Sequence, residues 1–414
     1  MSTTAPLPSP AEHRPTVVGV ATAEVVDPRV ARVAWAAVVL AALAFFITIP
    51  PVTLRTPAPS VVLGVVAAVG GWWAARAGAG RVGWGAVVGA VLAIVGAWVA
   101  SGADEAKLDQ VVVWSALFAA TLRFATPLIF AALGGIISER AGVIALGLEG
   151  MMLSGALFAV LGADLTDSWL LGVLVGMLGG VGVAAIYAVF AITLRADQVV
   201  AGTALNLMAL GVTGYVFVAR YGDDGSPKDL SRVPELSLPG LGGDGFFAVS
   251  IGSASLMTWF ALVAVAAVAF VLFRTTPGLH LRAVGERPEA AESAGIPVLR
   301  TRYLAVLASG AMAGLGGAYL SLALLGSFSQ NMTAGRGFIA LAAVIFGRWR
   351  PGAALAAALL FGFSSAIARR LDVFSDQLAT LFNALPYVLT LIAVAGLVGR
   401  SRAAGALGKP YERG

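Results

Sequence analysis

The feature that most constrains this chain is a succession of apolar runs, each long enough to cross a bilayer as a helix. A spanning helix needs about 20 mostly apolar residues. Runs of that kind fall near residues 33–51, 61–77, 82–100, 114–137, 143–163, 169–194, 198–219, 253–273, 302–326, 330–347, 352–370 and 379–398. The pattern predicts twelve crossings, with the short 330–347 stretch the weakest. Backbone groups in lipid must bond internally, and the period-two alternation of a membrane barrel is missing, so the spans are expected to be helical. The fold class is therefore all-α, a polytopic helical membrane protein. Composition agrees, since 59% of the 414 residues are hydrophobic and 12% charged, against about 25% charged in a soluble domain.

The same composition excludes several chemistries. There is no Cys, which removes disulfides, thiol catalysis and thiolate metal sites. Two histidines, His13 and His280, are too few for a histidine-built metal centre. No G-x-x-x-x-G-K-[ST] run occurs, and Gly408-Lys409-Pro410 lacks both the loop and the hydroxyl, so the chain is not itself an ATPase. H-E-x-x-H and G-x-S-x-G are absent too, which leaves an intramembrane hydrolase without support. The net charge of +5 reads as basic residues gathered in cytoplasmic loops rather than as a nucleic-acid surface. With the N-terminus inside, eighteen of the 27 Lys and Arg fall on inside segments and eight outside, with Arg123 within a span. That bias predicts N-in and C-in. Residues 1–32 carry no apolar core of a signal peptide and read as a disordered cytoplasmic tail.

Two polar connections interrupt the spans. The outside segment from Arg220 to Gly252 is acidic and rich in Pro and Gly, as a surface flap would be. The inside segment from Arg274 to Arg302 contains an expected short helix, opened by Pro288 and closed by Gly295 and Pro297. A faint internal repetition pairs Gly142–Leu146 (GVIAL) with Gly337–Leu341 (GFIAL), starting on opposite sides as an inverted repeat would. In a chain rich in Ala, Gly and Val such a match also arises by chance.

Four longer stretches carry a resemblance: Ala125–Leu157 (ATPLIFAALGGIISERAGVIALGLEGMMLSGAL), Ala196–Tyr215, Gly278–Ile296 and Ala406–Gly414. Together they resemble permeases of the ribose, branched-chain amino acid and nucleoside class of ABC importers, and most of all the nucleoside branch. The likeness runs from about residue 111 to the end. It implies a permease domain over 111–400 and a cytoplasmic C-terminal tail over 401–414, and it leaves 33–110 as extra N-terminal spans. Ala145 stands where the branch usually has Asn. The resemblance implies a non-catalytic subunit in the bacterial cytoplasmic membrane, with ATP and Mg bound by partner ATPase subunits and no cofactor of its own. It further implies a second permease chain, a paralogue or a copy of itself, and an extracytoplasmic solute-binding lipoprotein or periplasmic protein. The implied cargo is a nucleoside, with a pentose or branched-chain amino acid as the alternative. An ATP-independent secondary transporter and a non-transporting scaffold are the rivals of another class.

Candidate site residues divide into two groups. In the inside loop, Arg282, Glu286, Arg287, Glu289, Glu292 and Gly295 form a candidate ATPase-coupling surface; an ordinary solvated loop is the competing reading. Along the spans, Glu149, Asn206, Phe124 and Asn383 are candidates for the translocation path. A carboxylate in a span is costly and signals function. Glu149 either lines a cavity or caps the amides of a broken helix, with Gly147 and Gly150 permitting the break. Asn206 and Asn383 reach a ribose hydroxyl or base edge, or else join helices, and Phe124 stacks on a base or packs. Arg123 and Glu149 differ in depth by roughly 12 Å at 1.5 Å per residue and are not expected to pair.

Overall fold

The computed structural model describes residues 27–46, 58–101, 113–222, 225, 227, 230–236, 249–250, 252, 254–371 and 403–412. The expected span at 379–398, with Asn383, lies outside them. Among the described residues the regular structure is helical, with one isolated bridge between Glu235 and Ser255. Eight helices among the described residues are long and apolar enough to cross a membrane.

The chain divides into two units, residues 1–104 and 105–414. The first holds α1 (Pro28–Phe46), α2 (Ala58–Arg76) and α3 (Gly80–Ser101). Their buried faces are small: Ala34, Ala37 and Ala41 on α1, Gly64, Ala67, Gly71 and Ala74 on α2, and Ala86, Ala90 and Ala93 on α3. Large apolar side chains such as Trp35, Val66 and Trp98 point outward. This inversion of a soluble protein's pattern is what lipid selects, since tails solvate the large residues and close backbone approach joins the helices.

The second unit contains α4 (Trp114–Arg140), α5 (Leu148–Thr166), α6 (Trp169–Ala188), α7 (Gln198–Tyr221), α8 (Leu256–Arg274), α9 (Thr276–Glu286), α10 (Pro288–Ser293), α11 (Val298–Ala318), α12 (Arg336–Phe346) and α13 (Pro351–Leu371). Helices α6 and α11 continue as π-helical turns over Val189–Thr193 and Tyr319–Leu325. At the centre α5, α6 and α11 pack together. A Cβ on Gly155 would lie 2.5 Å from Gly314 Cα, and one on Gly314 would lie 2.7 Å from Gly176 O. The small-residue spacings of Gly172, Gly176, Gly180, Gly310 and Gly314 thus form one three-helix seam. Helix α4 covers α11 and carries α12 and α13, while α7 lies against α5 with most of its surface exposed.

Two expected spans are broken. Over 143–163 the helix begins only at Leu148, and Val143–Ala145 have no regular structure. Over 330–347 only Arg336–Phe346 is helical. Eleven residues rise about 16 Å, against about 30 Å of hydrocarbon. The preceding chain descends without helix from Phe328, whose ring lies 5.0 Å from Phe217 near the far end of α7. The GVIAL and GFIAL peptides consequently differ: the first has no regular structure, and the second lies inside α12.

Candidate functional site

The extended segment before α5 is built by side chains that replace helical hydrogen bonds. Ser138 Oγ donates to Val143 O at 2.8 Å, and Ile144 N donates to Gln198 Oε1 at 2.9 Å. Tyr187 OH donates to Ile144 O at 2.6 Å, and Ala145 N donates to Glu139 Oε1 at 3.3 Å. Asn206 closes the break, its Nδ2 donating to Leu146 O at 2.8 Å and its Oδ1 accepting from Gly150 N at 2.9 Å. An unpaired amide in hydrocarbon costs several kcal/mol, so these five side chains are what permit the break. Asn206, expected either on the path or between helices, joins α7 to α5.

Glu149 lies buried in the first turn of α5 and reaches the start of α12. Its Oε1 accepts from Gly335 N at 2.8 Å and its Oε2 from Gly337 N at 2.6 Å. Hydrogen bonds to a charged acceptor contribute about 1.5–3 kcal/mol each, and a carboxylate here also complements the positive end of the helix. Of the two readings of Glu149, the geometry matches capping of a broken helix. Two glycines make it fit. Gly335 sits at φ 81°, in the left-handed region, and a Cβ on Gly337 would lie 2.5 Å from Glu149 N.

The other end of α12 is held by residues that attracted no attention in the sequence. Trp349 Nε1 donates to Glu139 Oε2 at 2.6 Å, and the Arg140 guanidinium donates to Trp349 O from Nε and Nη2 at 3.3 and 3.1 Å. Arg348 and Trp349 are consecutive left-handed residues at φ 51° and 54°, a conformation costing roughly 1–2 kcal/mol per residue. The clamp from Glu139 and Arg140 offsets that strain. Helix α12 is thus gripped at both ends by α4 and α5.

Phe124 is half-buried with the Arg369 guanidinium 5.0 Å over its ring. Arg123 lies 3.7 Å from Glu235, remote from Glu149 as depth required, and both side chains are more than half exposed.

At the Arg140 end, α9 and α10 form the connection expected from sequence to lie inside. Thr275 caps α9, its Oγ1 accepting from Gly278 N at 3.4 Å. Pro288 opens α10, Ser293 ends it, and Gly295 at φ 82° reverses the chain, as the sequence pattern predicted. Arg287, Glu289, Ala290, Ser293 and Ala294 are exposed. Val284, Pro288 and Ala291 face inward. Arg282 lies along α9, its Nε donating to Gly278 O at 3.3 Å. Two members of the candidate coupling group turn aside to the C-terminal residues: Glu286 Oε2 accepts from Gly405 N at 3.2 Å, and the Glu292 carboxylate accepts from Tyr411 OH. The signal in the sequence for that contact is Tyr411, the one aromatic of residues 401–414.

Residues 117–394 match the family model described as branched-chain amino acid transport system / permease component. The chain is 40% identical over 318 residues to the guanosine ABC transporter permease protein NupQ of Bacillus subtilis, covering 74% of this chain and 99% of that protein. It is 38% identical over 304 residues to the nucleoside ABC transporter permease protein NupC of Lactococcus lactis, with 70% and 94% covered. It is also 39% identical over 289 residues to a putative glucose ABC transporter permease protein of Haloferax volcanii, with 67% and 85% covered. No solved structure gives a significant match. Apolar spanning helices, two broken crossings and a family match over most of the second unit converge on one assignment: this chain is a multi-pass membrane protein of the branched-chain amino acid transport system permease family.

Proposed function

We propose that this chain is the permease subunit of an ABC importer in a bacterial inner membrane and that its cargo is a nucleoside. The observation that carries the cargo is the similarity to the guanosine permease, which extends over nearly the whole length of that relative. Membership of a permease family leaves the chain non-catalytic, with ATP and Mg on partner ATPase subunits. Those subunits dock on the exposed face of α9–α10, the Arg140 end being cytoplasmic, where Arg195, Arg287, Arg300, Arg348 and Arg350 cluster. A solute-binding protein meets the opposite end, and a second permease chain, a paralogue or a copy of this one, completes the membrane part. ATP binding would shift the spans between states of different affinity for the cargo. Glu149, which holds the start of α12, and Asn206, which joins α7 to the start of α5, are the polar groups we assign to the path.

The glucose permease relative favours a second reading in which the cargo is a sugar. The decisive experiment is uptake of labelled nucleosides by cells lacking this chain, with ribose, glucose and leucine as competitors. Lost uptake, restored by the chain and insensitive to those competitors, is the expected result. Competition by a sugar or by leucine would reassign the cargo and leave the permease standing.

A further inference from the structure

Residues 403–412 are expected from sequence to belong to a cytoplasmic tail, yet they are built into the Arg140 end of the second unit. Ala404, Ala406 and Tyr411 are buried, and Tyr411 joins Val284, Ala291 and Val298 in a small apolar cluster beneath α9 and α10. Ala406 N donates to Gly285 O at 2.8 Å, at the end of α9. Two residues on, Gly408 N donates to Gly142 O at 3.1 Å, at the mouth of the extended segment before α5. Ile144 Cδ1 lies so close that a Cβ on Gly408 would be 2.9 Å from it. The buried Arg302 guanidinium donates to Lys409 O at 3.1 Å, and Arg195 pairs with Glu412 at 3.0 Å. One short peptide is therefore hydrogen-bonded to the α9–α10 loop on one side and to the Gly142–Ile144 turn on the other. From that turn the chain runs in about five residues to Glu149 and its hold on α12.

We propose that residues 403–412 are a strap that carries displacement of α9–α10 to the extended segment at Gly142–Gly147, with Tyr411 as its positioning residue. The inference rests on the reading of α9–α10 as the ATPase-docking surface. The Tyr411 hydroxyl fixes the strap to Glu292, and the Gly405–Gly408 turn fixes it to Gly285 and Gly142. When an ATPase pushes the exposed face of α10, the inner face moves the strap. The strap then moves the turn whose far end positions Glu149. The Gly405–Glu286 and Arg195–Glu412 contacts are exposed, but the Tyr411 ring lies in the buried cluster with Val284, Ala291 and Val298, away from the face a docking partner would touch.

The test uses the assembled importer in proteoliposomes, reading nucleoside uptake and ATP hydrolysis together with the amount of ATPase that co-purifies. Tyr411→Phe removes one hydroxyl and keeps the ring in its cluster. It is expected to leave the ATPase bound and hydrolysing while uptake per ATP falls about fivefold or more, the lower range of measured coupling between sites. A chain ending at Arg402 should lose more uptake per ATP with the ATPase still attached. Unchanged uptake per ATP in Tyr411→Phe overturns the strap, whether or not the shortened chain accumulates. Loss of the ATPase from either variant also overturns it, because the tail would then belong to the docking face. Glu289→Lys, on the exposed face, tests the underlying reading separately: it should release the ATPase. If the ATPase stays bound to Glu289→Lys, the docking assignment fails whatever the tail variants do.

Discussion

The two units of this chain are built from the same small residues and use them differently. In the first, alanines and glycines at helical spacing let α1, α2 and α3 approach. Gly71 meets α3 so closely that a Cβ there would lie 2.7 Å from Gly83 O. In the second unit the same kind of seam holds α5, α6 and α11, but around it two crossings are interrupted and their amides are satisfied by Gln198, Asn206, Glu139 and Glu149. Glycine contact is thus a means of packing in both units. Among the described residues, only the second uses polar side chains to hold backbone out of the helix. Polar groups within spans are costly, and here their partners are the backbone amides that the interruptions leave free.

That contrast can be broken most severely at the central seam. Gly314→Leu should prevent accumulation of the protein, because overpacking against the Gly155 and Gly176 backbones costs roughly 3 kcal/mol or more. Gly182→Leu on α6, with open space where its Cβ would lie, should leave the level unchanged. Quantifying both in membrane fractions checks the pair, and equal levels would deny the seam any special part. A smaller effect is expected at Glu149. Glu149→Gln keeps the size and removes the charge, and its amide has one acceptor oxygen, so one of the bonds from Gly335 N and Gly337 N is kept and the other is lost at about 1–3 kcal/mol. The chain should still assemble while uptake falls about tenfold. Loss of the protein itself would make Glu149 a structural cap and nothing more.

The smallest effect should follow removal of the first unit. The family match begins at residue 117, and the guanosine permease is covered almost completely while about a quarter of this chain has no counterpart in it. Removing residues 1–104 takes away three expected crossings, an odd number, so a cleavable leader is needed to keep residue 105 on its own side. With that leader, uptake close to that of the whole chain is the expected outcome. Its loss would show that α1–α3 contribute to transport rather than accompany it.

Much of this architecture was legible in the apolar pattern, because lipid demands long apolar helices whatever the function. Pro288 and Gly295 marked α10 to within two residues, since their backbone preferences are local. The breaks were legible only in part. Val143–Leu146 is apolar and continuous in sequence with α5, and its non-helical course depends on Gln198 and Asn206, more than 50 residues away. Gly147 and Gly150 pointed to the right neighbourhood: the interruption runs up to Gly147, and Gly150 lies in the first turn of α5. Glu149 stood out as a charge in a span, yet its partners are backbone amides, which carry no mark in a sequence. The clamp at Trp349 was invisible for the same reason, as a tryptophan near a span end ordinarily reads as part of the interfacial belt. The tail misled in the other direction: it is polar, and only the position of α9–α10 makes Tyr411 a buried residue.

The seam among α5, α6 and α11 also has a consequence for synthesis. Helices α5 and α6 are neighbours in the chain, but α11 begins more than a hundred residues after α6 ends. At about 5–20 residues per second a ribosome needs on the order of ten seconds to make that stretch. During that interval the glycine faces of α5 and α6 stand open in the bilayer, able to accept any helix with a small-residue stripe. The insertion machinery or the early pairing of α5 with α6 must guard them until α11 arrives. Nascent chains halted before residue 298 should for that reason be the most prone to pair with the wrong neighbour.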